Sequence, residues 1–241
     1  MKYNIILKQL FIIFKTKWIT NLFRGKLFSI SSFEILTNLK QIVSELDLII
    51  DVGANSGQFS KASNFFYPEA QIYTFEPLED HFLNIEQKFS KIKNIKVYNL
   101  AVGNEDGFIS FNKNKYGHVS SILDISEENK YYPKEHIEKI DVKITTLDTF
   151  FKEIQIPKAT LLKLDVQGFE LEVLKGAVNI IQKVNYIIIE ANLETLYTNQ
   201  PTFTEVNTFL NENGFEVCGM LDFNLGSKNK YIEVDLLYKR G

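Results

Sequence analysis

Leu48-Ile-Ile-Asp-Val-Gly-Ala-Asn-Ser-Gly57 is a short apolar strand that ends in an acid, Asp51, and runs at once into a glycine-bracketed turn. An amphipathic stretch opens at Gln58, so the order is strand, tight turn, helix. In an open α/β sheet, that turn is where a nucleotide-like cofactor lies against exposed backbone. Gly53 and Gly57 suit it, because a β-carbon would block close approach and glycine tolerates positive φ. The spacing D-x-G-x-N-x-G is not the G-x-G-x-x-G of pyrophosphate binders. An acid at the strand end repels a pyrophosphate and suits a cationic or amine-bearing ligand. The plainer alternative is that any doubly wound domain needs a glycine turn here.

Outward from this run, Gln71-Ile-Tyr-Thr-Phe-Glu76-Pro77 reads as a second strand, one helix length further on and again ending in an acid. Glu76 stands where an acid accepts both ribose hydroxyls of an adenosine, and Pro77 stops the strand. Further strand-like runs fall at 95–100, 160–165 and 184–191, mostly continuous in Ile, Leu, Val and Tyr. Strands that are apolar throughout predict a parallel sheet covered on both faces. Helical stretches near 58–66, 78–90, 168–182 and 202–213 alternate with them, which implies βαβ units in a three-layer sandwich. Ser31 or Ser32 is placed to cap a preceding helix running to about Glu45, with Glu34 in its first turn.

Two regions break the alternation. A strand at 107–112 and another at 141–146 flank a polar loop at 113–139, long enough to mark a lid or a disordered segment. Phe215–Met220 and Tyr231–Tyr238 read as two strands joined directly, a connection that suits an antiparallel pair.

At this point the chain resembles the FkbM-type methyltransferases, which use S-adenosyl-L-methionine. The resemblance spans about Leu48 to Val217. It rests on Asp51-Val-Gly-Ala-Asn-Ser-Gly57, Phe75-Glu-Pro77, Asn99-Leu-Ala-Val-Gly103, Ser120-Ser121, Thr146-Leu-Asp148 and Lys163-Leu-Asp-Val-Gln-Gly-Phe-Glu170, completed by Leu174-Lys-Gly-Ala177 and Ile189-Glu190. Gln167 departs from it, since many members carry Glu there. The resemblance implies a class I, Rossmann-like methyltransferase fold whose mostly parallel sheet closes with a C-terminal antiparallel hairpin. It also implies a hydroxyl acceptor on a sugar, surface glycan or secondary metabolite.

Methyl transfer from a sulfonium needs nucleophile, methyl and sulfur held in line, and a base for the hydroxyl proton. Asp51 with Gly53, Asn55, Ser56 and Gly57 is expected to meet the amino-acid part of the cofactor, and Glu76 and Pro77 the ribose. The turn carrying Asn99 and Ala101 is expected at the adenine. Asp165 ends the 160–165 strand at the switch point of the sheet, which makes it a candidate base or a partner for the cofactor ammonium. The alternative is that it caps the next helix. Glu190 is a second candidate base, and His118 a candidate in the long loop. Ser120, Gln167 and Glu170 are candidate substrate contacts, although an acid at Glu170 also suits a helix start on its own. Lys163 is expected to face an ion-pair partner within the sheet.

The rest of the composition mainly excludes. A 241-residue chain with 45% hydrophobic content suits one domain, here 46–241, with an N-terminal helical extension over 1–45. One cysteine, Cys218, allows no internal disulfide and no four-cysteine zinc site, and it is expected to be an inert core residue. The three histidines show no metal-ligand spacing, so no metal is expected. A net charge of −3 gives no nucleic-acid footprint. Residues 1–33 nevertheless carry +6, with no acid, which leaves −9 elsewhere. Leu7, Leu10, Phe11, Phe14, Trp18 and Leu22 give that stretch an apolar face, suited either to an anionic membrane surface or to packing on the domain or a second subunit. It is not expected to span a membrane, and it reads as a poor secretory signal. The expectation is therefore a cytoplasmic protein, peripheral to the inner membrane in the first case. A small-molecule or glycan substrate is the expected partner. The competing function is a non-catalytic membrane-associated partner that keeps the fold; a nicotinamide-dependent oxidoreductase lacks its glycine fingerprint.

Overall fold

The apolar runs pair as a continuous sheet in the computed structural model, which describes residues 29–226 and 229–241. The sheet strands in chain order are β1 (Leu48–Val52), β2 (Gln71–Phe75) and β3 (Ile95–Tyr98). β4 (Ala101–Val102), β5 (Gly107–Asn114) and β6 (Ile137–Thr145) form a separate small sheet. β7 (Thr160–Leu164), β8 (Tyr186–Asn192), β9 (Phe215–Leu225) and β10 (Tyr231–Arg240) complete the main sheet in the order β3-β2-β1-β7-β8-β10-β9. β3, β2, β1, β7 and β8 run parallel, whereas β10 runs antiparallel to both β8 and β9. This is the three-layer, Rossmann-like sandwich with a closing antiparallel hairpin that the alternation and the resemblance predict.

Successive side chains of a strand point to opposite faces, and here each face has its own core. Ile50, Leu162 and Ile187 pack on one side with α4 (Leu147–Phe150), α5 (Glu170–Lys175) and α6 (Phe203–Glu212) nearby. Ile49, Leu161 and Ile188 pack on the other, beneath α1 (Ile30–Ile42), α2 (Gln58–Phe66) and α3 (Glu79–Phe89). α1 contributes Ile35, Leu36 and Leu39 to that second core, so this part of 1–45 is built into the body of the molecule. Residues 1–28, which hold most of the basic segment, lie outside the described residues. No helix among the described residues is long and apolar enough to cross a membrane.

Several details differ from expectation. The cap of α1 is Ser29, whose hydroxyl accepts from the Ser32 amide, and Glu34 falls beyond the first turn. The helix expected over 168–182 is short and ends at Gly176, followed by a 3-10 turn at Ile181–Lys183. A β-carbon on Gly176, the residue that caps the helix, would lie 1.9 Å from the Gly103 carbonyl oxygen, so that close approach requires glycine there. Cys218 is exposed, on β9 at the edge of the sheet. β9 also runs five residues further than expected, to Leu225. The long loop narrows to 115–136 and is held by backbone bonds, among them Ser126 N–H to Leu196 O at 2.9 Å and Thr198 N–H to Asp124 O at 2.8 Å.

Candidate active site

A cavity of about 470 Å³ opens at the carboxyl ends of the parallel strands, under the long loop. Its floor is the β1 turn (Val52, Gly53, Asn55), and one wall is Glu76, Pro77 and the backbone stretch Leu100–Val102. The opposite wall carries Asp165, Gln167 and Glu190, then Glu233 and Asn224 from the hairpin. Ser120 and Tyr132 from the long loop border it.

The turn after β1 folds as its glycines dictate, but for a tertiary reason. Gly53 has φ +82°, and a β-carbon there would sit 1.9 Å from the Asp165 carbonyl oxygen. The first and fourth parallel strands therefore touch through bare backbone. Gly57, at φ +75°, turns away and packs against the Phe89 ring and Ile85 of α3. Ser56 faces the same way, its carbonyl near the Lys88 ammonium at 3.4 Å.

Glu76 is 4% exposed, and each carboxylate oxygen already accepts one backbone amide. Asn55 N–H donates at 2.7 Å and Leu78 N–H at 2.9 Å. Burial pushes its carboxyl up to about 8, against those two donors. Asn99 does not line the cavity; its side-chain amide donates to the Glu76 and Pro77 carbonyls at 3.0 and 2.9 Å and fixes the adjoining wall, where Ala101 does line it.

Asp51 lies beneath the turn at 0% exposure and outside the cavity wall. It accepts from the Ser60 hydroxyl at 2.6 Å and faces the Lys163 ammonium at 3.7 Å. Lys163, paired with Asp51 across β1 and β7, also donates to Asp165 at 2.9 Å. Although burial works against it, the carboxylates of Asp165 and Asp51 hold the Lys163 ammonium above its usual range. Burial likewise pushes Asp165 up, but Lys163 and the Gln167 amide outweigh it and keep this carboxyl below the ordinary range.

Gln167 is the junction of the far wall. Its amide nitrogen donates to Asp165 at 3.0 Å and to Glu190 at 2.7 Å, and its oxygen accepts from the Tyr197 hydroxyl at 2.6 Å. The backbone there is left-handed, with φ +56° at Gln167 and +92° at Gly168. Glu170 holds that bend from beneath: one carboxylate oxygen accepts from Val166 N–H at 3.0 Å and Gly168 N–H at 3.2 Å. The helix-start duty considered for Asp165 thus falls to Glu170, which lies outside the cavity wall. Burial, followed by the charges of Asp165, Glu233 and Asp235, pushes Glu190 well above the usual carboxylate range.

Among the loop candidates, Ser120 lines the cavity and its hydroxyl accepts from the Asn114 amide at 2.9 Å. His118 lies in the 3-10 turn Gly117–Val119, and its side chain lies outside the described residues. No group of His, Cys, Asp and Glu suited to a metal ion occurs among the described residues.

A family model described as the methyltransferase FkbM domain matches residues 51–217. The chain belongs to the FkbM methyltransferase family. This FkbM methyltransferase is 25% identical over 174 residues to the 2-O-methyltransferase NoeI of Sinorhizobium fredii, covering 67% of this chain and 71% of that protein. It is 27% identical over 158 residues to the hexuronic acid methyltransferase AglP of Haloferax volcanii, covering 65% and 61%. Methyltransferase 1 of Beauveria bassiana is 24% identical over 186 residues, covering 70% and 72%.

The FkbM protein is an S-adenosylmethionine-dependent methyltransferase on a class I fold, and its cavity suits that cofactor. It has the volume of a small-ligand site, a buried carboxylate at the β2 tip, and no Lys, Arg or His among the described lining residues to oppose a sulfonium. Tyr132, Asn224 and Glu233 are wall residues absent from the sequence reading. One signal was available for Glu233. It stands two residues from Asp235 in a stretch, Tyr231–Tyr238, that is otherwise apolar or aromatic, which puts two acids on one face. Tyr132 and Asn224 carry no local signal.

Proposed function

We propose that this FkbM methyltransferase methylates a hydroxyl of a sugar, on a surface glycan or a glycosylated metabolite. The observation that supports it is the pair of carboxylates, Asp165 and Glu190, joined by one Gln167 amide at the open end of the cofactor cavity. The names of two relatives, a 2-O-methyltransferase and a hexuronic acid methyltransferase, point to the same acceptor class.

When bound, S-adenosylmethionine supplies an electrophilic methyl on a positively charged sulfur. In this reading Glu76 accepts the ribose hydroxyls with lone pairs its two amide donors leave free, while Gly53, Asn55, Pro77 and Ala101 shape the surrounding wall. Ser56, Gly57 and Asn99 hold that wall in place. Asp165, kept ionised by Lys163, receives the cofactor ammonium; Asp51 acts through Lys163. Glu190 takes the acceptor proton, since a base whose pKa is raised toward the working pH transfers protons best. Gln167 orients it, and His118 and Ser120 lie on the loop that covers the site.

The test is recombinant protein with S-adenosylmethionine and envelope glycans from a strain lacking this protein, read as a methylene gain in mass. No gain on any glycan, with cofactor binding intact, removes the sugar acceptor. For residues 1–33 the proposal is a surface contact, with lipid or with a second protomer, which liposome flotation and solution mass tell apart.

A further inference from the structure

Resting on the reading of Glu190 as the base, a further residue acts on that carboxylate at one remove. Tyr197 lies outside the cavity wall at 0% exposure, in the segment between β8 and α6. Two acceptors lie within reach of its hydroxyl, the Gln167 side-chain oxygen at 2.6 Å and the Val119 carbonyl at 3.3 Å, and the shorter contact takes the hydrogen. The segment is itself pinned. The Gln200 side-chain oxygen accepts from the Leu196 and Tyr197 amides at 2.9 and 2.8 Å. The Tyr197 ring lies on Gly168, where a β-carbon would come within 3.2 Å of it. From the long loop, the Ser121 hydroxyl donates to the Gln167 backbone carbonyl at 2.7 Å. Gln167 is thus gripped at main chain and side chain alike.

A carboxamide can turn over, and here one orientation satisfies every partner. With the Gln167 oxygen on Tyr197, both of its N–H groups meet acceptors, Asp165 at 3.0 Å and Glu190 at 2.7 Å. Turned over, it would set a carbonyl oxygen against two carboxylates and take both donors away. Those donors matter to Glu190 because other acids act on it: Asp165 from β7, Glu233 and Asp235 from β10, and Glu170 from α5. Lys163 bears on it through Asp165, and Tyr132 and Tyr197 are the titratable hydroxyls near it. Every one of these charges is common to variants that change the amide alone.

We propose that Tyr197 is a positioning residue for the methyl transfer. By holding the Gln167 carboxamide in one orientation, it keeps two N–H donors on the Asp165–Glu190 pair and so sets the pH at which Glu190 can act as a base.

The experiment compares Tyr197→Phe, Gln167→Met and the double variant, each as the full-length chain. An ionised Glu190 that loses amide donors is less stabilised, so its titration moves to higher pH. NMR of protein isotope-labelled at the glutamate carboxyls reads this without an acceptor, the Glu190 signal being assigned by its loss in Glu190→Gln. The acid limb of kcat reads it again, with methyl-labelled S-adenosylmethionine and envelope glycans from a strain lacking the protein. Tyr197→Phe is expected to lower kcat near neutral pH about tenfold and Gln167→Met about 100-fold, the scale of one neutral and two charge-assisted hydrogen bonds. The double variant should match Gln167→Met, since Tyr197 acts only through that amide. Additive losses, or a Tyr197→Phe protein with wild-type rate and Glu190 titration, overturn the proposal. An unmoved titration in Gln167→Met, which leaves the Tyr197 ring in place, overturns it equally. Full activity in Glu190→Gln removes the base assignment and this inference with it. If no glycan accepts label, the sugar acceptor falls, while the NMR titration still decides the role of Tyr197.

Discussion

At the residue scale, single positions carry more constraint than their types suggest. Gly53 was legible as a glycine that a turn requires, but the neighbour that requires it, the Asp165 carbonyl, was not. Gly53→Ala combines left-handed backbone with a main-chain clash, and is expected to destabilise the protein by about 2–5 kcal/mol. Urea unfolding checks this, and a loss under ~0.5 kcal/mol, the scale of a bland surface change, would show that the contact relaxes freely. Glu190 makes a different prediction. Burial and the surrounding acids raise its carboxyl, so it is protonated at low pH and gains basicity only as pH rises through its pKa. kcat should therefore climb with pH on the acid side. Glu190→Gln should lose roughly 100-fold or more and flatten that limb. A variant with an unchanged pH profile would move the base elsewhere.

At the scale of elements, the bend between β7 and α5 does most to shape the site. Gln167 reaches both carboxylates only because the backbone is left-handed there, and Glu170 holds that bend through two amides. From sequence, Glu170 read equally as a substrate contact or a helix-start acid; only the fold shows which backbone groups it faces. Burial pushes its carboxyl up to about 7. The folded protein thus retains a proton that the unfolded chain releases near 4.5, and Glu170 contributes stability below that pH which is lost as pH rises through about 7. Glu170→Gln keeps the acceptor oxygen and removes the titration. Its urea midpoint should fall less between pH 5 and pH 7 than that of the wild type, by about one proton's worth of slope. Equal slopes would mean Glu170 is ionised throughout. The short α5 belongs to the same scale: helical periodicity runs on past Gly176, whereas the helix stops at Lys175 and its capping glycine lies against Gly103.

Across the whole molecule, α1 is the element whose standing sequence judged least well. Capping and periodicity found it, but as part of an extension rather than of the core. Leu36 and Leu39 are fully buried with Ile35 and Val43 beside them, a burial worth roughly 6–12 kcal/mol in all. That rivals the entire stability of an ordinary domain. Deleting residues 1–28 should leave a cooperative thermal transition, whereas deleting 1–45 should abolish it. Circular dichroism melts of the two truncations decide this, and a folded 46–241 fragment would show that the helix is dispensable.

The sequence by itself determined the strands of the parallel half, the turn after β1, the acids at the strand tips and the hairpin, because each is written in local periodicity or in residues adjacent along the chain. The tertiary structure alone decided which acids meet. Glu190 comes beside Asp165 and Glu233 only through β8 pairing with β7 and β10, and Tyr132 reaches Glu233 across a hundred residues of chain. Hydrophobic patterning fixes which way a side chain faces, but which strands lie side by side depends on the packing of both sheet faces at once, and no short stretch of sequence records that.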